Sequence, residues 1–312
     1  MDGGGSKTKF IITTINGEYI DSLLTTGCSY PQLGINFVCN FIYQNIEMLL
    51  KKNKISCNNI SAICLGLPYL GENLRQDEIL KDKLKIILNV YTDKLIMVND
   101  VELGFWGAQP DGVGIHIVAG TGAISYARTA DGLSYRSNGW HNILSDEGSG
   151  FWLGMNAISL YLKQFDNRVK RNHLYYEMSN YIEKKYNITN PLDFINFFDE
   201  NLFNNRKAIA DFQQVLACAA LNGDCSANKL YIKAAYELYN SILALKRYFF
   251  NETPKITFSG GLFKTENLLL KQLKLLLNQS GLHIDYPCMT PEKGGILLCL
   301  KCLGIEKQTN IK

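Results

Sequence analysis

The chain has 312 residues, of which 46% are hydrophobic and 20% are charged, which is the composition of a globular protein with a large core and a length typical of about two domains. Its net charge of +3 is spread without a basic block, which argues against nucleic acid and anionic membranes as partners. No apolar run reaches the roughly 20 residues of a spanning helix, and no signal-like segment opens the chain. The nine cysteines lie mostly within apolar runs, which favours reduced thiols and a cytoplasmic protein.

Strand-like and helical segments alternate through the first third of the chain. Asn16-Gly17 is a hairpin signal between two strands, and apolar residues such as Phe37, Phe41 and Ile42 recur at the spacing of a helix. The pattern predicts strands at 9–15, 18–24, 60–65 and 94–98, and helices at 35–52, 72–88 and 101–108.

The second half repeats this order of elements. A strand, a glycine loop and a hairpin recur roughly 110 residues after their first appearance, which indicates a duplicated domain. The patterns predict strands at 115–118, 124–128, 256–258 and 282–286, nearly continuous helix over 151–250, and helices at 266–277 and from 294 onward.

Strands that alternate with helices favour an α/β fold with parallel sheets covered on both faces. We expect an amino-terminal domain at 1–108 and a second domain at 109–312 with a helical insertion at about 151–250, and we expect the last helix to pack back on the first domain. The glycine loops and Asp100 follow predicted strands. Because ligands bind at the carboxyl ends of such strands, these residues are expected to converge on one cleft.

Two loops in the second half of the chain, each marked by glycines, carry candidate binding residues. Thr121 and Gly122 lie in the loop after the strand at 115–118, where a hydroxyl and close backbone N–H groups suit a phosphate. Asp146 and Glu147 lie just before an apolar helical run. Their carboxylates could interact with the positive end of the helix dipole or accept hydrogen bonds from sugar hydroxyls, and the sequence leaves both interpretations open.

Together the motifs resemble the BadF/BadG/BcrA/BcrD ATPase family, and within it the branch of N-acetylglucosamine kinases and bacterial glucosamine and N-acetylmuramic acid kinases. They occur in the family's order from residue 2 to about residue 304: DGGGSKT at the start, VND ending at Asp100, AGTGAIS, GW followed by SDEGSG, and SGG at 259–261. The resemblance implies an actin/hexokinase/Hsp70-like (ribonuclease H-like) fold, in which two related α/β domains close on ATP.

The resemblance also implies a nucleotide site. Asp2 would hold Mg²⁺ through water. The residues that would contact ATP and its phosphates are Gly4, Gly5, Ser6, Lys7 and Thr8 in the first loop, Thr121 and Gly122 in the second, and Gly260 and Gly261 at the adenosine. Lys7 could equally be a solvated side chain, and the two last glycines could equally form an ordinary turn between a strand and a helix.

For the sugar, the resemblance implies Asp100 as the general base, with Asn99 beside it. Asp100 could instead cap the helix predicted at 101–108. The other residues implied in sugar binding are Gly139, Trp140, Asp146 and Glu147, together with Tyr30, which stands where many amino-sugar kinases have Asn. The indole of Trp140 could pack on a sugar face or on the core.

The strand that precedes DGGG in the family is expected to be missing here, because Asp2 is the second residue. The resemblance implies an ATP- and Mg²⁺-dependent kinase that transfers the γ-phosphoryl group to a hydroxyl of N-acetylglucosamine, glucosamine or N-acetylmuramic acid, and that forms a homodimer. The alternative within the same superfamily is an ATPase that activates a 2-hydroxyacyl-CoA dehydratase and carries an iron–sulfur cluster.

Overall fold

A five-stranded sheet lies in each of two units, which consist of Met1–Gly112 with Tyr286–Lys312 (unit 1) and of Val113–Asp285 (unit 2). The computed structural model describes residues 1–5, 7–250, 252–265 and 268–305. In chain order the strands are β1 (Asp2–Gly3), β2 (Lys7–Thr13), β3 (Tyr19–Thr26), β4 (Ile63–Leu67), β5 (Leu95–Asn99), β6 (Gly114–Ala119), β7 (Ala123–Arg128), β8 (Ser134–Ser137), β9 (Ile256–Ser259) and β10 (Ile284–Asp285).

The α-helices are α1 (Tyr30–Leu33), α2 (Ile35–Lys52), α3 (Leu74–Leu88), α4 (Asp100–Ala108), α5 (Gly150–Phe165), α6 (His173–Tyr186), α7 (Asp193–Phe197), α8 (Arg206–Leu221), α9 (Cys225–Lys246), α10 (Leu269–Gln279) and α11 (Pro291–Cys302). A π-helical turn follows α7 at Phe198–Leu202. Glu266, where the sequence predicted the start of a helix, lies outside the described residues, and α10 begins at Leu269. No helix in the described part of the chain has the length and apolar character needed to cross a membrane.

The two sheets have the same topology. The strand order is β3-β2-β1-β4-β5 in unit 1 and β8-β7-β6-β9-β10 in unit 2. In each, the first three strands form an antiparallel meander, and the first, fourth and fifth strands run parallel. The repeat in the sequence therefore corresponds to a repeat in the fold, and the predicted α/β class is confirmed.

Helices cover the sheets with apolar faces at the predicted spacing. In α2 the buried Val38, Ile42 and Leu49 follow one side of the helix, as the period of 3.6 residues requires. Five helices of unit 2, α5 to α9, follow β8 and occupy the segment predicted as a helical insertion. Strand β8 was missed because its four residues carry no apolar alternation.

The last helix, α11, belongs to unit 1 and packs closely on α4. A Cβ atom added at Gly294 would overlap the backbone nitrogen of Gly107, and one added at Gly107 would overlap the carbonyl oxygen of Thr290. The two helices approach so closely because both positions lack a side chain. This contact places the carboxyl-terminal part of the chain beside the helix that begins at Asp100.

The first strand, expected to be missing, is present but only two residues long. Asp2 pairs with Lys9 of β2 and with Gly66 of β4. The Met1 amino group donates a hydrogen bond to the Cys64 carbonyl oxygen at 2.8 Å. β1 therefore occupies the centre of the sheet over a fraction of its length.

Beyond Met1 the gap between β2 and β4 is a largely apolar cavity of about 330 Å³. Ile11 and Thr13 line it on one side, Ile63 on the other, and residues of α2 and α11 cover its two faces. The Lys7 carbonyl accepts from Gly4 across the hairpin. By the two-residue alternation of an antiparallel ladder, Lys9 and Ile11 turn their backbone groups to the same side as Lys7, so those of Ile11 face this gap.

We predict that three β-branched residues joined to Met1, such as valine–isoleucine–valine, will lengthen β1 and raise the melting temperature. Each buried side chain contributes about 1.5–3 kcal/mol against about 1–2 kcal/mol of backbone entropy. Each net kcal/mol raises Tm by about 2–4 °C. The control is a serine–glycine–serine extension, measured by calorimetry. Equal melting temperatures for the two extended chains would show that the cavity does not accept a strand.

Candidate active site

The first glycine loop, between β1 and β2, is a tight turn. The Gly4 nitrogen donates to the Lys7 carbonyl at 2.9 Å, and the Gly4 carbonyl accepts from the Cys28 nitrogen at 3.1 Å. A Cβ atom at Gly27 would overlap Gly5, so the segment after β3 can lie against the loop only because residue 27 is glycine. Gly5 itself has open space where a side chain would begin. The backbone at Gly5 is therefore accessible to a ligand.

The other residues of this loop differ in their surroundings. Ser6 lies outside the described residues. Lys7 is exposed at the start of β2. Thr8 is fully buried, and Cys28, which is also fully buried, lies next to it. Of the three side chains predicted to contact phosphate, Lys7 has access to solvent and Thr8 belongs to the core.

Asp100 follows β5 directly and opens α4. Asn99 is the helix cap, because its Oδ1 accepts from the Val101 nitrogen at 2.9 Å. The Asp100 Oδ1 also accepts from Val101, at 3.0 Å, so the Asp100 carboxylate shares the capping that the sequence left as its alternative role. The backbone N–H of Asp100 itself also acts on this carboxylate, and no side-chain donor to it is found among the described residues. The end of a strand thus holds a carboxylate through backbone groups and leaves it unoccupied by other side chains.

The charge state of Asp100 is unusual. Burial raises its pKa to about 7, and the neighbouring negative charges of Asp2 and Glu72 act in the same direction, against the hydrogen bond from Val101. The pKa of Asp2 is also raised, first by burial, while the positive amino terminus opposes the shift and Glu292 adds to it. Asp2 and Glu72, whose negative charges raise the pKa of Asp100, form with it an electrostatic environment that favours a cation.

Few side chains around Asp2 could bind a cation. No set of three or more His, Cys, Asp or Glu side chains suitable for a metal ion occurs in the described residues. Glu292, the next acidic group, forms an ion pair with Lys9. Although burial acts to raise it, this hydrogen bond from Lys9 holds the pKa of Glu292 below its usual range. An ion bound here would keep most of its water shell, which fits Mg²⁺.

Tyr30, predicted to contact a sugar, is buried and hydrogen-bonded within unit 1. Its hydroxyl donates to Asp77 Oδ1 at 2.6 Å and to the Tyr69 carbonyl at 3.1 Å. Asp77 Oδ2 accepts from the Gly71 nitrogen, so the tyrosine and Asp77 together hold the loop that follows β4. The hydroxyl of Tyr30 therefore positions a loop. Asp77 was missed in the sequence, where it reads as an ordinary acidic residue in the first turn of a helix.

Asn99 holds the same loop from the other side. Its Nδ2 donates to the Leu70 carbonyl at 2.8 Å, while its Oδ1 caps α4. Both polar atoms of this side chain, predicted to bind sugar, are thus used within the protein. Asn99 fixes the position of Asp100 relative to the loop at 69–71.

The second glycine loop joins β6 to β7 in unit 2. The carbonyl oxygens of Gly120 and Thr121 accept from Gly150 and Phe151, at the start of α5, at 2.8 and 3.0 Å. Thr121 is exposed, and no described residue accepts a hydrogen bond from the N–H groups of Thr121 or Gly122. The loop therefore presents two N–H donors and a hydroxyl outward, which is an arrangement that binds anions.

Asp146 holds this loop in place. Its carboxylate is buried, Oδ1 accepts from the Ala123 nitrogen at 2.7 Å, and Oδ2 accepts from Arg206 Nη2 at 2.7 Å. Burial raises the pKa of Asp146, while Arg206 opposes the shift. Both oxygens that were predicted to contact sugar are thus occupied. Arg206 was missed, since an arginine 60 residues away on a helical segment carries no motif.

The neighbouring turn carries the remaining predicted sugar residues. Gly139 has a φ of +71°, and a Cβ atom there would lie 2.9 Å from the Ala123 carbonyl oxygen. Trp140 is 64% exposed, with the Arg136 guanidinium 4.2 Å from its ring centre, so its indole does not belong to the core. Glu147 is half-buried, and its Oε2 accepts from Ser145 Oγ at 3.0 Å.

The two glycines after β9 differ in the space around their Cα atoms. Gly260 has a φ of +111°, and a side chain there would overlap the Ala119 carbonyl of β6, so this glycine is required for packing. Gly261 has open space around it. The preceding Ser259 is fixed by His116, whose Nε2 lies 2.9 Å from its Oγ. Burial lowers the pKa of His116 to about 3, which keeps the imidazole neutral.

Comparison with known proteins gives one family over most of the chain. The sequence profile of the BadF/BadG/BcrA/BcrD ATPase family matches residues 1–296. An N-acetylmuramic acid/N-acetylglucosamine kinase of Clostridium acetobutylicum is 30% identical over 92% of this chain and 90% of its own length. An N-acetyl-D-glucosamine kinase of Dictyostelium discoideum is 24% identical over 96% of each chain.

Solved structures share the fold. A candidate N-acetylglucosamine kinase from Chromobacterium violaceum superposes with a TM-score of 0.75 at 21% identity, over 96% of each chain. A ROK-family glucokinase from Streptomyces griseus gives a TM-score of 0.56 at 13% identity, over 95% of this chain and 96% of its own. The neighbours confirm the hexokinase-like, actin-type fold predicted from the motifs. The chain belongs to the BadF/BadG/BcrA/BcrD ATPase family.

We predict that Asp100→Asn will stabilise the protein at pH 8 more than at pH 5. The pKa of Asp100 is raised in the folded state, so its ionisation costs stability as the pH rises from the unfolded value near 4 through about 7. An amide avoids this cost. Thermal unfolding at both pH values measures the effect, with Asp82→Asn, an exposed residue on α3, as the control. The same melting-temperature difference at both pH values would contradict the raised pKa.

Proposed function

We propose that this protein is an ATP-dependent kinase that transfers the γ-phosphoryl group to a hydroxyl of an amino sugar. The observation that carries the proposal is the half-buried Asp100, whose carboxylate is held at the end of β5 by backbone donors. The two relatives named as N-acetylglucosamine kinases align over nearly the whole chain and support the substrate class. The iron–sulfur alternative is not proposed, because these relatives are sugar kinases.

In this mechanism Asp100 accepts the proton of the attacking hydroxyl. The bond between the hydroxyl oxygen and the γ-phosphorus forms, the bond from that phosphorus to the β–γ bridging oxygen breaks, and ADP leaves with the electron pair. A pKa near 7 suits this role, because the carboxylate is then both substantially ionised and a competent base at neutral pH. Asn99 and the hydrogen bond from Val101 orient the carboxylate.

The phosphates would contact the two glycine loops. Gly5 in unit 1, and Thr121 and Gly122 in unit 2, offer backbone donors and a hydroxyl, Gly4 forms the turn beside Gly5, and Lys7 adds a positive charge. The open backbone at Gly261 is proposed to lie against the adenosine, with Gly260 allowing the close approach to β6. Phosphoryl transfer depends mainly on such positioning and on neutralised charge.

Mg²⁺ is proposed as the cofactor, with Asp2 holding it through water. The raised pKa values of Asp2 and Asp100 support a cation here, since a nearby positive charge would favour the ionised form of each carboxyl group. When bound, Mg²⁺ neutralises phosphate charge.

The acceptor would be N-acetylglucosamine, glucosamine or N-acetylmuramic acid. The exposed indole of Trp140 offers a face for a sugar ring, and Glu147 and the Gly139 backbone lie in the same turn. Tyr30 and Asn99 are proposed to shape the pocket indirectly through the loop at 69–71. Asp146 is proposed to act through the loop that its carboxylate holds.

A homodimer and a cytoplasmic location complete the proposal. All nine cysteines are free thiols, which suits a reducing compartment, and ATP is the phosphoryl donor expected there. The homodimer rests on the family resemblance, and analytical ultracentrifugation tests it directly.

The test of the function is ADP release from Mg-ATP with a panel of N-acetylglucosamine, glucosamine, N-acetylmuramic acid, N-acetylmannosamine and glucose. We predict that one or more amino sugars stimulate release, and that Asp100→Asn lowers kcat by about 10²–10⁴-fold, as expected for loss of a general base. Binding of Mg-ATP should be retained in this variant. Release that no sugar stimulates, or unchanged turnover of Asp100→Asn, would refute the proposal.

The pH dependence offers a separate prediction. Because Asp100 must be ionised to act, kcat/KM should rise as the pH passes through about 7. Glu72→Gln removes one of the negative charges that raise the pKa of Asp100, so the rise should move to lower pH. Asp82→Asn is the control, and its pH profile should match the parent. A profile that Glu72→Gln leaves in place would contradict the assignment of the base.

A further inference from the structure

Arg206 is the first residue of α8 and has no place in the motifs discussed above. Its guanidinium nevertheless lies against the second glycine loop. Nη2 is 2.7 Å from Asp146 Oδ2, and a Cβ atom at Gly122 would overlap Nη2 and lie 3.2 Å from Cζ. The guanidinium therefore touches the backbone of Gly122 at a place where only glycine leaves room.

The ion pair of Arg206 with Asp146 is asymmetric. The Asp146 side chain is 2% exposed and both its oxygens accept hydrogen bonds, whereas the Arg206 side chain is 34% exposed. A guanidinium has five N–H donors. The hydrogen bonds found for Arg206 within the described residues use only Nη2, and Nε is buried without a partner. The arginine thus retains donors that Asp146 does not satisfy.

The adjoining loop offers donors as well. The N–H groups of Thr121 and Gly122 have no acceptor among the described residues, and Thr121 is exposed. Two backbone donors, a hydroxyl and a guanidinium edge therefore adjoin one another in unit 2. Such a set suits an oxyanion, because a guanidinium binds phosphate or carboxylate oxygens through two parallel hydrogen bonds.

We propose that Arg206 binds the oxyanion that occupies the loop at Thr121–Gly122. The anion is either a phosphate of the nucleotide or the carboxylate of an acidic amino sugar. This inference rests on the proposed kinase function and extends it, since it adds a substrate-contacting residue from the helical segment at 150–246. Asp146 then holds the loop and the arginine together.

The competing explanation is that Arg206 serves only to neutralise the buried Asp146. The two explanations differ in what happens when both charges are removed. Asp146→Asn keeps an oxygen to accept from the Ala123 nitrogen but needs no cation. If Arg206 only balances charge, ligand binding lost in Arg206→Met should return in the double variant with Asp146→Asn. If Arg206 binds the anion, binding stays weak.

The experiment compares the parent with Arg206→Met, Arg206→Lys and the matched control Lys207→Met, which removes an exposed positive charge one residue along the same helix. Mg-ATP affinity is measured without sugar by displacement of a fluorescent ATP analogue. KM and kcat are measured with N-acetylglucosamine, which is neutral, and N-acetylmuramic acid, which carries a carboxylate. Thermal unfolding checks that each variant is folded.

If the anion is a phosphate, Arg206→Met should weaken Mg-ATP binding by about 10–100-fold, the range expected for a hydrogen bond to a charged group, and affect both sugars alike. If it is the sugar carboxylate, only the KM for N-acetylmuramic acid should rise by that factor. The loss of affinity in Arg206→Lys should be smaller than in Arg206→Met, because lysine keeps the charge and loses only the paired donors. Lys207→Met should match the parent.

The proposal is overturned if folded Arg206→Met keeps the parent's Mg-ATP affinity and both KM values, or if the double variant with Asp146→Asn recovers them. A parent protein that shows no sugar-dependent turnover would refute the kinase function instead. The nucleotide-binding comparison would then still decide whether Arg206 contacts a phosphate.

Discussion

The burial of Asp100 beside a second carboxylate is the constraint on which the candidate site depends. An aspartate at the end of a strand, partly removed from water and close to Asp2, can ionise near neutral pH only at a cost in free energy. Asn99 fixes the position of Asp100, because its side chain caps α4 and donates a hydrogen bond to the loop after β4. A destabilised but rigid carboxylate is what a general base requires.

Unit 2 has the same topology as unit 1, but the charge of its buried carboxylate is compensated. There the buried acid, Asp146, is compensated by Arg206 and by the Ala123 nitrogen, and the loop it holds presents donors rather than acceptors. The duplicated sheet thus carries the proposed base in one unit and the proposed anion-binding loop in the other. The equivalent strand order of the two sheets explains how one fold supplies both.

The fold could be predicted from the sequence because its local and global signals agree. The α2 helix begins and ends at the residues that its apolar period indicates, and the second glycine loop follows a strand, β6, as predicted. Strand β8 and the short β1 escaped prediction, since neither has an apolar alternation long enough to be seen.

The site was less predictable, because the partners of a side chain depend on tertiary contacts. Tyr30 and Asn99 were predicted to contact the sugar, yet their polar atoms bind the loop at 69–71. Thr8 is buried although its motif suggested a phosphate contact. Arg206 and Asp77 lie far along the chain from the groups they touch, and no local pattern marks them.

The most direct test of the central claim is a titration of the Asp100 carboxyl carbon by ¹³C NMR in the free protein, with Asp100→Asn to assign the signal. The account predicts a midpoint near pH 7 that falls when Mg²⁺ alone is added, since a cation favours the ionised form. A midpoint near 4, as in an unperturbed aspartate, would contradict the account and leave the site without its proposed base.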